Sequence, residues 1–153
     1  MLGSPREARI GHELFANDDE KLELEQRNGY RLAGAVDALA REMISGGRDL
    51  SPKIILRFHK IAIDGIYECS GRFRRWGIQI IGSLHRPPRH EDVEGLIQGM
   101  CDIANERIAS GEWDAIDVAA YLLWRLNWIH PFGGGKASRQ IKLPNHTTGF
   151  TDE

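Results

Sequence analysis

The sequence is short of almost everything that would give its function away. It holds two cysteines, Cys69 and Cys101, in 153 residues. A disulfide-stapled secreted scaffold needs more, so a reducing compartment is expected, with one disulfide left as the alternative. It has no excess of basic charge: Lys and Arg number 20 against 22 Asp and Glu, a net charge of −2. General nucleic-acid binding, which relies on a basic face, is not expected. No stretch approaches the roughly 18 consecutive apolar residues of a membrane span. The opening "MLGSPREARIGHELF" lacks the apolar core of a secretory signal. A cytoplasmic protein is the expectation, with no membrane partner. Internal repeats are absent too.

What is present is an ordinary globular mixture, 41% apolar and 27% charged, sized for one domain with a single core. Residues 1–19 read as a loose N-terminal segment. Asn17, Asp18 and Asp19 then offer N-caps and negative charge to a helix running to about Ser45. Leu32, Val36, Leu39, Ala40 and Met43 make its apolar stripe, Gly29 threatens to split it, and Gly46 and Gly47 stop it. Ser51 and Pro52 open a second helix, with Ile54, Ile55, Phe58, Ile61 and Ala62 on one face. "GRFRRWGIQIIGS" is different in kind. Trp76, Ile78 and Ile80 alternate between Gly71 and Gly82, which favours an extended hairpin. Arg72, Arg74 and Arg75 form the one dense basic cluster, suited to a solvated face or to a polyanion site. A third helix is expected over about 91–110, facing the core with Val93, Leu96, Ile97, Met100 and Ala104. The last, about Asp114 to Trp128, is apolar nearly all round and is expected to be the central, most buried element.

The chemistry-bearing stretch is "NWIHPFGGGKASRQ", Asn127 to Gln140. Gly133, Gly134 and Gly135 could turn backbone amides toward an anion, with Lys136 and Arg139 adding positive charge. His130 titrates close enough to neutrality to act as a general base. Phe132 would anchor the loop in the core. A glycine triplet also suits a flexible linker, and a histidine after a helix also suits a cap. Elsewhere, His85 and His90 lack two further ligands at zinc spacing, so no metal site is assigned. Trp113, Trp124 and Trp128 read as core or helix-rim packing.

"IHPFGGGKASR" resembles the signature of the Fic (Fido) family, H-P-F-x-D/E-G-N-G-R-x-x-R. Upstream, "GRFRRWGIQIIGSLHRPPRHEDVEGLI" is similar to the family's Gly-x-x-Arg, hairpin, His, Pro-Pro and helix. The resemblance implies a mainly α Fic-like helical domain, incomplete over 20–139, with a short β-hairpin flap. It implies protein adenylyltransfer, AMP passing from ATP to a target hydroxyl. By position His130 matches the catalytic base. Gly133 and Gly135 match the start of the anion-binding loop, and Ile80, Ile81 and Gly82 lie where a flap would align the target by strand addition. ATP is then a substrate and Mg²⁺ the expected metal, but the family's acidic ligand is Gly134 here. Its Asn is Lys136, its next Gly is Ala137, and its two arginines are Ser138 and Ile141. Arg139 replaces an arginine only if the loop is shortened. No copy of the family's inhibitory helix is found. Residues 140–153 read as an irregular tail, with Pro144 where the family has a long helix, as a changed reading frame near Lys136 or a truncation would leave it. The expectation is a weakened or inactive adenylyltransferase. The alternative is a catalytically dead protein-binding module or a truncated product. The target protein is unknown, and self-association through the uncovered last helix is expected.

Overall fold

Helix α1, Asp18–Ile44, begins where a capping side chain and three acidic residues meet. The Asn17 side chain accepts from the Glu20 amide at 2.9 Å, and Glu20 reaches back to accept from the Ala16 amide. Gly29 does not split the helix. The end is closed by Gly46 at φ 71°, with the Gly47 amide donating to the Glu42 carbonyl and the Gly46 amide to that of Met43. A left-handed residue is needed there, and glycine adopts that conformation without a Cβ clash. The computed structural model describes residues 13–68, 70–133 and 138–140, the last three by backbone alone.

Helix α2, Pro52–Ala62, packs along α1 and buries Ile54 and Ile55. The stripe of α1 that faces it differs from the expected one. Val36 is 45% exposed, and Ala40 is exposed as well. The inward row is Leu24, Asn28, Leu32, Ala35, Leu39 and Met43. It includes a polar residue, fully buried, that apolar periodicity passes over. Asn28 Nδ2 donates to the carbonyls of Ala62 (3.2 Å) and Asp64 (2.8 Å) at the end of α2, and its Oδ1 accepts from Arg27. Carbonyls at a helix end have no partner within the helix, and Asn28 supplies one.

A 3₁₀ turn, His90–Asp92, leads into α3, Val93–Ala109. Val93, Ile97, Met100, Cys101 and Ala104 are fully buried, and with Leu50, Ile54, Ile55 and Ile129 they form the core. Asn105 fastens the segment before α2 by accepting from the Leu50 amide and donating to its carbonyl, each at 2.8 Å. Helix α4, Ala115–Ile129, starts on a capping box between Asp114 and Asp117. It packs on α3, yet Ile129 is its one buried residue. This corrects the expectation of a central α4. The central helix is α3, and Ile116 (78%), Leu123 (66%), Trp124 (58%) and Trp128 (39%) are exposed. All-round apolarity requires neighbours on two sides, and among the described residues α4 has a helix on one. Arg125 lies over the rings of Trp124 and Trp128, so these indoles form the helix rim. No helix of the described residues is long and apolar enough to cross a membrane.

The extended element is also rearranged. β1, Ile78–Ile80, does not fold back on a neighbouring strand. It pairs antiparallel with β2, Ser138–Gln140, in the register Ile78–Gln140, Gln79–Arg139 and Ile80–Ser138. Alternation identifies a strand but not its partner. The expected irregular tail therefore gives up Gln140 to β2; residues 141–153, like 1–12, lie outside the described residues. Replacing Asn28 by Ala removes the donor to the part-buried Ala62 carbonyl and leaves that of Asp64 with Arg27 Nη2 alone, at 3.3 Å. Urea unfolding is expected to show a loss of about 1–3 kcal/mol, against a fraction of that for Asp37→Ala on the exposed face.

Candidate active site

The site begins where α4 ends. His130 closes the helix in the left-handed conformation, φ 48° and ψ 62°, and its amide donates to the Leu126 carbonyl at 2.8 Å. Among the described residues it is the one non-glycine residue with positive φ. That conformation costs a residue with a Cβ roughly 1–2 kcal/mol, so neighbours must hold it. They do so through Arg74, a member of the basic cluster that is neither solvated nor open to a polyanion. Arg74 is 2% exposed, whereas Arg72 and Arg75 are at the surface. Its Nε donates to the His130 carbonyl at 2.8 Å and its Nη2 to the carbonyls of Pro88 (2.6 Å) and Ile129 (3.3 Å). Its Nη1 donates to the Trp76 carbonyl at 3.1 Å. Its backbone amide donates to the Pro131 carbonyl at 2.9 Å.

The imidazole of His130 is half-buried. Burial first, then the positive charge of Arg74 and then His85, hold its pKa below the usual histidine range. The ring is therefore neutral at physiological pH and free to accept a proton. His85 comes from the loop after β1, and its Nε2 donates to the Trp128 carbonyl at 2.8 Å. The extended segment and its following loop thus both dock on the end of α4, beside His130.

Phe132 fixes the next step of the chain. Its ring stacks on His59 with centroids 3.6 Å apart and planes 1° from parallel, and it tilts against Phe73 at 5.8 Å. His59 Nδ1 accepts from the Gly71 amide at 3.0 Å, and burial lowers its pKa to about 4. Gly71 has to be glycine on two counts. Its φ is 71°, and a Cβ would lie 3.1 Å from the Lys60 Cβ and 3.3 Å from the Leu56 carbonyl. Gly133 is constrained differently: a Cβ there would come within 2.8 Å of the Trp76 indole. So the first glycine of the triplet is required by close approach to an aromatic ring.

Of the site residues expected from sequence, His130 and Gly133 come together on this platform. Arg139 lies in β2 opposite Gln79, with its backbone alone described. Ile80 is in β1, while Ile81 and Gly82 follow it in a turn. There the Ser83 amide donates to the Ile80 carbonyl and Gly82 has φ 77°. Gly134, Gly135 and Lys136 lie outside the described residues. Sequence reasoning missed the parts played by Arg74 and His59. The Gly-x-x-Arg spacing was the available signal for the first, and nothing marked the second. Cys101, deep in the core, has its thiol pushed up to about 11 by burial, which removes it as a nucleophile; Cys69 lies outside the described residues. A cleft of about 520 Å³ adjoins the platform, lined by Pro52, Lys53, Arg72, Arg75 and Glu94 among others; it shares Arg74 but not His130.

A family model described as the Fic/DOC family matches residues 49–135, more than half of the chain. The chain belongs to the Fic/DOC family. The matched span takes in α2, α3, α4, the segment carrying Arg74 and the loop as far as Gly135; α1 and β2 fall outside it. A search of curated proteins finds no match. In this Fic/DOC chain the described part of the signature, His130 to Gly133, is held by side chains far from it in sequence: Arg74, Trp76, His59 and Phe73.

The neutral state of His59 gives the fold a pH dependence. The folded ring takes a proton near pH 4 and an unfolded one near 6.5. Between those values the unfolded chain binds more protons, so stability falls as pH drops from about 6.5 to about 4. His130 acts in the same direction. Unfolding free energies at pH 7 and pH 4.5 are expected to differ by on the order of 2–3 kcal/mol, and a His59→Gln variant should show a smaller difference. Gly133→Ala is expected to lower stability by about 1–3 kcal/mol as the indole is displaced, visible as a changed Trp fluorescence maximum.

Proposed function

We propose that the chain carries a Fic-type adenylyltransfer site with His130 as general base, weakened at its phosphate-binding half. The observation that supports this best is the neutral, half-exposed imidazole of His130, held on a strained backbone by a buried arginine. In the reaction the imidazole takes the proton of a target hydroxyl. The oxygen forms a bond to the α-phosphorus of ATP, and the bond to pyrophosphate breaks. Gly133, Gly134 and Gly135, with Lys136 and Arg139, would face the phosphates.

Magnesium is the metal that the family implies, and the residues present do not fit it. Mg²⁺ is held by one or two carboxylates together with phosphate oxygens. From Asn127 to Gln140 the sequence has no carboxylate, and Gly134 stands at the acidic position. Among the described residues there is no group of three or more His, Cys, Asp or Glu side chains placed for a metal. Loss of one transition-state stabiliser typically costs about 100-fold or more in rate, which is why transfer is expected to be slow.

A second reading, a protein-binding module without transfer, draws support from β1. Its backbone edge already accepts an antiparallel strand, Ser138–Gln140, with main-chain pairing tolerant of sequence. Incubation with labelled ATP and a cell lysate separates the two. The enzyme reading expects faint protein labelling that His130→Ala abolishes. Absence of any label above that variant supports the binding module instead. Calorimetric titration with ATP is expected to give the same affinity with and without Mg²⁺. A tenfold gain on adding Mg²⁺ would mean that a metal ligand has been overlooked.

A further inference from the structure

We infer that Arg74 is the positioning residue for the His130 imidazole, fixing its left-handed backbone from inside the fold and tying it to the segment that leads into β1. As a statement about how the base is placed, this rests on the reading of His130 given above. Four carbonyls converge on one guanidinium, two from the end of α4, one from Trp76 and one from Pro88. The Arg74 amide takes a fifth carbonyl, that of Pro131. His130 is therefore gripped on both sides: its own carbonyl through Nε, and the next residue's through the Arg74 backbone.

The grip needs an arginine. A guanidinium presents five donors in a rigid plane and can serve carbonyls from three separate segments at once. An ammonium has three donors at one point and cannot span them. The link to the extended segment is direct as well, since Trp76 is two residues before Ile78 and its carbonyl shares the guanidinium with that of His130. A strand settling on β1 would act on the imidazole through this path. Arg74 does not reach the reacting atoms in this arrangement. It works through His130.

The described charged or titratable groups acting on the ring are Arg74, from the segment before β1, and His85, from the loop after it. The test is an NMR titration of the His130 ring, its signal assigned by comparison with His130→Asn. In the unsubstituted chain the midpoint should lie below the free-imidazole value of about 6.5. In Arg74→Lys, which keeps the charge but not the fork, it should rise toward that value as the ring loses its burial. An unchanged midpoint in a folded Arg74→Lys chain, with only a lower melting temperature, would make Arg74 a structural residue and overturn the inference. Should Arg74→Lys fail to fold, the unsubstituted chain decides. Its Arg74 Nε–H resonance should shift with the His130 midpoint, and a resonance indifferent to that titration overturns the inference equally. Neither readout involves nucleotide or transfer. A chain that labels no target thus defeats the proposed activity and leaves this coupling standing, while a labelling chain with an unmoved titration defeats the coupling alone.

Discussion

A buried positive charge without an ion-pair partner is the constraint around which the molecule is arranged. Taking a guanidinium out of water costs several kcal/mol unless its donors are satisfied. Arg74 has no carboxylate in salt-bridge contact among the described residues, and burial lowers its pKa. Backbone carbonyls do the work instead. Two of the four belong to the last residues of α4, where a helix leaves carbonyls unpaired and its dipole is negative. Charge-assisted hydrogen bonds are about twice as strong as neutral ones. Each party thus answers the other's deficit. The helix end gains donors, the cation gains acceptors, and the segments of Trp76 and Pro88 are drawn to the same point.

That arrangement also sets the chemistry at His130. A helix C-terminus by itself favours a protonated imidazole, because the negative end of the dipole stabilises the cation. Partial burial of the ring outweighs that influence, and Arg74 adds to it by placing a permanent charge at the same carbonyls. The outcome is a ring with a depressed pKa at a location where an isolated helix would raise it. An imidazole that stays unprotonated at neutral pH follows from the balance between these terms and not from the histidine alone.

Much of this fold is legible in the sequence, and the parts that are not share one cause. Asn17, Ser51 with Pro52 and the two glycines after α1 are local signals, read correctly because their partners lie within a few residues. The core face of α3 follows from its period. Asn28, Arg74 and His59 could not be read, since each is a polar residue buried by acceptors or rings distant in the chain. A window of sequence shows polarity and predicts exposure. The same limit explains β1, whose alternation is local while its partner β2 is remote, and α4, whose composition cannot say how many neighbours it has. At the site, resemblance identified His130 and Gly133. The residues that hold them became visible only with the three-dimensional arrangement.

The two halves of the signature stand on different physical footings. The first half is fixed by contacts internal to the fold: Phe132 against His59, Gly133 against Trp76, His130 under Arg74. None of these contacts involves a phosphate or a metal. The departures from the family pattern begin at Gly134, one residue after the last of these contacts. Among the described residues, the side chains that hold His130, Phe132 and Gly133 belong to His59, Phe73, Arg74 and Trp76, none of them a departing position. Loss of Arg74 would strip a donor from four carbonyls, at the end of α4 and in the segments of Trp76 and Pro88, and a side chain at Gly71 would press on Lys60 and Leu56.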